Sequence, residues 1–166
     1  DGAAPIRLLG SGTILREVIA ASELLLTDWG VTSEVWSVTS FTELARDARE
    51  VGRWNRLHPS EAVRDSYLQE CLPGDAPIVA ATDYVRGLPQ LIAEYAGADY
   101  TTLGTDGFGR SDTRAQLRRF FEVDRYHIVA TALSRLAVAG LVPSARVDAA
   151  IKQYGLETDT APSWRR

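Results

Sequence analysis

The chain has no methionine, one cysteine, one asparagine, two histidines and no apolar run long enough to cross a bilayer. With Cys71 alone, an intrachain disulfide is impossible and a reducing compartment is the simpler setting. That thiol reads as a packed side chain rather than a nucleophile. The longest apolar stretches, such as 79–81 and 128–130, fall far short of the ~20 residues a spanning helix needs. Residues 1–10 lack the basic start, apolar core and small-residue cleavage site of a secretory signal, so the expected location is cytoplasmic. His58 and His127 have no cysteine or histidine near them at ligand spacing, which argues against a zinc site. No Gly-x-Ser-x-Gly elbow is present to anchor a hydrolase triad. No Gly-Lys-Ser or Gly-Lys-Thr occurs, which excludes a Walker loop. The missing methionine and the start at Asp1 suggest a piece of a longer protein.

What is present suits one folded domain. An apolar share of 45% against 24% charged residues, over 166 positions, is enough for a core that needs no disulfide or metal. A net charge of -4 gives no electrostatic footprint for nucleic acid. Residues 6–9 read as a strand, and Gly10-Ser11-Gly12-Thr13 then turns into a helical pattern of Ile14, Leu15, Val18, Ile19, Leu25 and Leu26 that stops at Gly30. Residues 35–38 form a second strand, and Ser40-Phe41-Thr42-Glu43 is a capping box for a second helix. Residues 51–72 lose periodicity and read as an irregular excursion.

A third strand lies within 76–82, and a helix over 88–95 places Pro89 in its first turn. Residues 100–103 supply a fourth strand. Three helices then follow: a short one over 114–121 with Ser111 as a capping candidate, one from Asp124 to Gly140, and one from Ser144 to Gly155. Alternating strands and helices imply a three-layer α/β/α sandwich around a mostly parallel sheet. Residues 1–156 are expected to form the domain, and 157–166 a tail running over its surface.

Gly10-Ser11-Gly12 can present helix-start amides to an anion. Leu15 replaces the third glycine of a dinucleotide fingerprint, however, so a tight structural turn is the better reading. The loop 105–112 is the most distinctive stretch: Asp106, Arg110, Ser111 and Asp112 sit among glycines at the carboxyl end of a strand, where open α/β sheets bind ligands. Its alternative role is to turn Phe108 inward and cap a helix. His58, in the irregular excursion, is the better histidine candidate for function, although even there a loop-anchoring hydrogen bond is the favoured reading. His127 reads as a satisfied structural histidine. Arg114, Arg118, Arg119 and Arg125 interleave with Asp112, Glu122 and Asp124 and read as a solvated helix face. The four tryptophans read as core or interface material.

Several long words occur in an order that resembles one family. They are Leu8-Leu9-Gly10-Ser11-Gly12-Thr13-Ile14-Leu15-Arg16, Val35-Trp36-Ser37-Val38-Thr39-Ser40-Phe41-Thr42-Glu43-Leu44-Ala45-Arg46, Arg53-Trp54-Asn55-Arg56-Leu57-His58-Pro59, Thr82-Asp83-Tyr84, and Leu103-Gly104-Thr105-Asp106-Gly107-Phe108-Gly109-Arg110-Ser111-Asp112. The chain resembles the C-terminal, transketolase-like domain of the homodimeric bacterial pyruvate dehydrogenase decarboxylating components. The resemblance implies a four- or five-stranded, mostly parallel sheet, with an extra antiparallel strand supplied by residues before Asp1. It implies a parent enzyme that decarboxylates pyruvate on thiamine diphosphate and Mg²⁺ and acetylates a lipoyl group on the acetyltransferase component.

The family's Gly-Asp-Gly followed by Asn-Asn is missing here, and Asn55 lies upstream of Asp106. The isolated chain is therefore expected to bind no cofactor or metal and to be inactive. Its expected partners are the upstream domains, a second subunit and the acetyltransferase component. His58, Asp106, Arg110, Ser111 and Asp112 are the candidates for an active-site mouth or interface. A non-catalytic docking module for the acetyltransferase is the alternative role.

Overall fold

A computed structural model describes residues 5–97 and 99–166. Four short strands, β1 (Arg7–Gly10), β2 (Glu34–Ser37), β3 (Ile78–Ala81) and β4 (Tyr100–Leu103), form one sheet in the order β2-β1-β3-β4, every pair parallel. The sequence places all four strands within a residue or two. β1 and β3 are buried along their whole length because helices cover both faces, and they are accordingly continuous apolar runs. The edge strand β2 is largely exposed.

Side-chain alternation sorts the core into two halves. Leu8 and Val79 face α1 (Leu15–Trp29), α6 (Arg125–Val138) and α7 (Ala145–Gln153). Leu9, Ile78 and Ala80 face α2 (Phe41–Leu57), α3 (Tyr67–Cys71) and the turn around Ile92 and Ala96. Each fully buried Leu or Ile stabilises the fold by roughly 1.5–3 kcal/mol, so the inner strands and α6 hold most of it. Two further short helices, α4 (Gly87–Gln90) and α5 (Arg114–Phe120), flank β4.

Local chemistry sets most element ends. The Gly30 and Val31 amides close α1 on the Leu26 and Leu25 carbonyls. Asp124 caps α6 by accepting the His127 amide at 2.9 Å.

Several expectations need correction. The stretch 51–72 is not irregular throughout, since α2 continues to Leu57 and α3 occupies Tyr67–Cys71. Ser40 does accept the Glu43 amide, but the Glu43 carboxylate pairs with Arg46 instead of returning to Ser40. A reciprocal capping box forms at Ser66 and Gln69. The helix over 88–95 is two pieces, α4 and a 3-10 turn at Ala93–Tyr95. Thr113, not Ser111, caps α5, because the cap must directly precede Arg114 and accept the Gln116 amide. Ser144 precedes α7 but makes no side-chain cap.

Candidate functional site

β1 connects to β2 on one side, and the chain then passes back to place β3 on the other side of β1. The carboxyl ends of β1 and β3 therefore form the topological switch point, the usual ligand position in open α/β sheets. Here the chain's own side chains stitch that point together. Ser11 Oγ donates to Thr82 Oγ1 at 2.7 Å, Thr13 Oγ1 donates to Asp83 Oδ2 at 3.1 Å, and Thr105 Oγ1 donates to the Asp83 carbonyl at 2.7 Å. The Asp83 carboxylate thus lies against the Gly12-Thr13 turn where an anion would sit, which supports the structural reading of Gly10-Ser11-Gly12.

The loop 105–112 projects beside the switch point and is fixed from two sides. Its start requires Gly104: a Cβ there would stand 2.7 Å from the Tyr84 carbonyl oxygen and 2.8 Å from the Arg86 nitrogen. Asp106 then accepts the Arg86 amide at 2.8 Å and the Arg86 Nε at 2.5 Å. Burial pushes the Asp106 carboxyl up, but the Arg86 amide and guanidinium outweigh it and hold the group below its ordinary value.

From the other side comes the tail. Ser163 is buried and its Oγ donates to the Asp106 carbonyl at 2.9 Å. The Arg86 guanidinium lies 4.5 Å over the Trp164 ring. Gly107, at φ 106°, gives the Trp164 backbone its room, since a Cβ would meet Trp164 Cα at 2.9 Å. Residues 157–161 are exposed, whereas the 3-10 turn Ser163–Arg165 is docked through buried Ser163.

Phe108 does not turn inward; it is 89% exposed, with Tyr84 at 61%, Val85 at 56% and Trp164 at 48%. The Arg86, Asp106 and Ser163 contacts bring these four into one neighbourhood. Arg110 is exposed, its guanidinium 4.2 Å from the Phe120 ring centre. Asp112 accepts the Thr113 amide at 2.6 Å, and Ser111 is exposed beside it.

Four of the five candidate residues therefore share one loop, and His58 stands elsewhere. The 17 residues of α2 carry the chain about 25 Å from Ser40, at the carboxyl end of the sheet, to His58. His58 Nδ1 donates to the Trp54 carbonyl at 2.8 Å and its ring stacks on Trp54 at 4.4 Å. Arg64 covers Trp54 as well, and the Asn55 side chain holds both backbone groups of Arg64. His58 is thus a loop anchor in this chain.

Arg114 is exposed, as a solvated face requires, but Arg118, Arg119 and Arg125 are half-buried and paired with acids. Glu17, 5% exposed, accepts from Arg125 N, Nε and Nη2 at 3.0–3.1 Å and from Arg118 Nη1 at 2.8 Å. Burial raises the Glu17 carboxyl, and these bonds more than reverse it, so its pKa lies below the ordinary value. Arg119 reaches Asp124 and the Tyr154 and Gly155 carbonyls. His127 Nδ1 donates to Asp124 Oδ1 at 2.8 Å, a satisfied structural histidine as expected.

The family model described as the Transketolase-like TK C-terminal domain matches residues 1–124. The chain belongs to that family. Proteins named Pyruvate dehydrogenase E1 component are similar along almost all of it. The relative from Cupriavidus necator is 52% identical over 92% of this chain and 17% of its own length. The one from Pseudomonas aeruginosa is 48% identical over 96% and 18%, and the one from Escherichia coli K12 is 49% identical over 93% and 17%. The chain therefore spans less than a fifth of the length of the curated relatives it matches. A solved structure described as a split gene transketolase, inactive beta4 tetramer, is a remote likeness at 14% identity and a TM-score of 0.48, covering 81% of this chain and 39% of that one. Among the described residues no helix is long and apolar enough to cross a membrane.

Proposed function

We infer that this chain is the C-terminal domain of a longer pyruvate dehydrogenase decarboxylating component, where it serves homodimer assembly and shapes the mouth of an active site built by preceding domains. Identity of 48–52% to Pyruvate dehydrogenase E1 components over 92–96% of the chain is the observation that carries this reading. The parent would decarboxylate pyruvate and acetylate the lipoyl group of the acetyltransferase component. Thiamine diphosphate with Mg²⁺ would supply the decarboxylation chemistry there.

The donor set of this chain does not fit that cofactor. Asp106 is committed to Arg86, Asn55 to the Arg64 backbone, and among the described residues no group of three or more His, Cys, Asp or Glu can hold a metal. The chain's contribution is a surface. Exposed Tyr84, Val85, Phe108 and Trp164 offer apolar contact around the loop 105–112, which Arg86 and Ser163 hold through Asp106. Apolar patches of this kind mark interaction sites.

The test uses the full-length enzyme carrying Asp106→Ala or Arg110→Ala, with sedimentation and lipoyl acetylation measured together. The expected result is a weakened dimer or lowered turnover in a folded protein. Unchanged dimerisation and unchanged acetylation would refute the reading. A face that docks the acetyltransferase instead would leave the dimer intact and lower only acetylation.

A further inference from the structure

We propose that the crevice between the loop 105–110 and α5 binds a small oxyanion ligand, a phosphate- or carboxylate-bearing molecule, through Arg110, Arg114 and Arg118. The crevice is about 330 Å³ in volume, within the size range of small-molecule sites. Its apolar lining is formed by Ile14, Leu117, Phe121 and Val123, and the three arginines complete the lining. Asp83 is the one acidic side chain in the lining and accepts from Thr13 Oγ1.

Local charge is out of balance. Glu17 already receives three bonds from Arg125, which neutralise it, and Arg118 is a second guanidinium on the same carboxylate. Two guanidiniums therefore share one carboxylate, with the Arg118 side chain 18% exposed and that of Arg125 40% exposed. Among the described residues Arg110 and Arg114 form no ion pair, and Arg110 rests on the Phe120 face. In a chain of net charge -4, three guanidiniums thus line the crevice against one carboxylate, that of Asp83. Concave clefts lined by one sign focus the field on a counter-ion. Guanidinium forks suit the paired oxygens of phosphate and carboxylate. The crevice opens at the carboxyl ends of β1, β3 and β4, through Thr13, Asp83 and Thr105, the ligand-binding end of such sheets.

This site stands independently of the enzyme reading, because it is tested on the 166-residue chain itself. Calorimetric titration at low salt uses pyrophosphate in one arm and succinate in the other, with Arg110→Ala, Arg114→Ala and the α2 surface control Arg53→Ala, each checked for native melting. Saturable binding is expected in at least one arm, and the arm that binds distinguishes a phosphoryl from a carboxylate ligand. Arg110→Ala and Arg114→Ala should each weaken it about tenfold, the loss of one charge-assisted bond, while Arg53→Ala leaves it unchanged. No binding in either arm, or equal weakening by Arg53→Ala, overturns the proposal. So does wild-type affinity in both crevice variants.

Discussion

Glu17→Gln keeps the side-chain shape at the α1, α5 and α6 junction while removing the charge that two guanidiniums share. The Glu17 side chain is 7% exposed and its carboxylate accepts four bonds from Arg118 and Arg125. The carboxamide can accept on one oxygen only, and its NH₂ would face donors. With the Arg125 side chain 40% exposed and able to regain water, the loss is about 1.5–3 kcal/mol, that of a bond to a charged group, still a sizeable part of the 5–15 kcal/mol that stabilises a typical domain. Urea unfolding of the 166-residue chain measures it.

The same group gives the pH dependence. Its folded pKa lies below 4.5, so its contribution is fully present above that unfolded value and is lost as the pH falls through 4.5 and then the folded pKa. Asp124 and Asp106 are depressed below 3.8 and act in the same sense at lower pH. The wild type should therefore lose stability more steeply than Glu17→Gln as the pH falls from 5. A loss under about 1 kcal/mol, the value of an exposed pair, or parallel acid profiles, would refute the assignment of Glu17 as the joint between these helices.

Gly104→Ala should destabilise the chain by about 1–3 kcal/mol, the usual strain of overpacking, because its Cβ would press on the Tyr84 and Arg86 backbone; thermal melting reads this directly. Trp164→Ala removes the stacking of Arg86, worth about 0.5–1 kcal/mol at an exposed site, and should speed hydrogen exchange at 105–110 while leaving the core strands protected. His58→Ala should change stability by no more than about 1 kcal/mol, since His58 is exposed, with faster exchange confined to 58–65.

The inner strands were legible because Leu8-Leu9 and Val79-Ala80 bury both faces, which yields unbroken apolar runs. Helix α2 was read only as far as its core-facing part. Beyond Ala48 it projects past the buried cluster, so Arg53 and Arg56 have no apolar face to alternate with. The Glu17 joint was invisible to local pattern because its partners lie about a hundred positions downstream, and the arginines were balanced against nearer acids instead. The loop 105–112 was legible as a site candidate from its glycines and charges. Its bracing by Ser163 and Trp164 was not, because a docked 3-10 turn leaves no periodic signal in a tail so short.

The central claim is that this chain works as one domain of a longer decarboxylating enzyme, and the mass of the natural polypeptide tests it most directly. Mass spectrometry of the protein recovered from its source should find these peptides in a chain several times larger than 18.2 kDa. A natural product that is complete at 18.2 kDa would contradict the account.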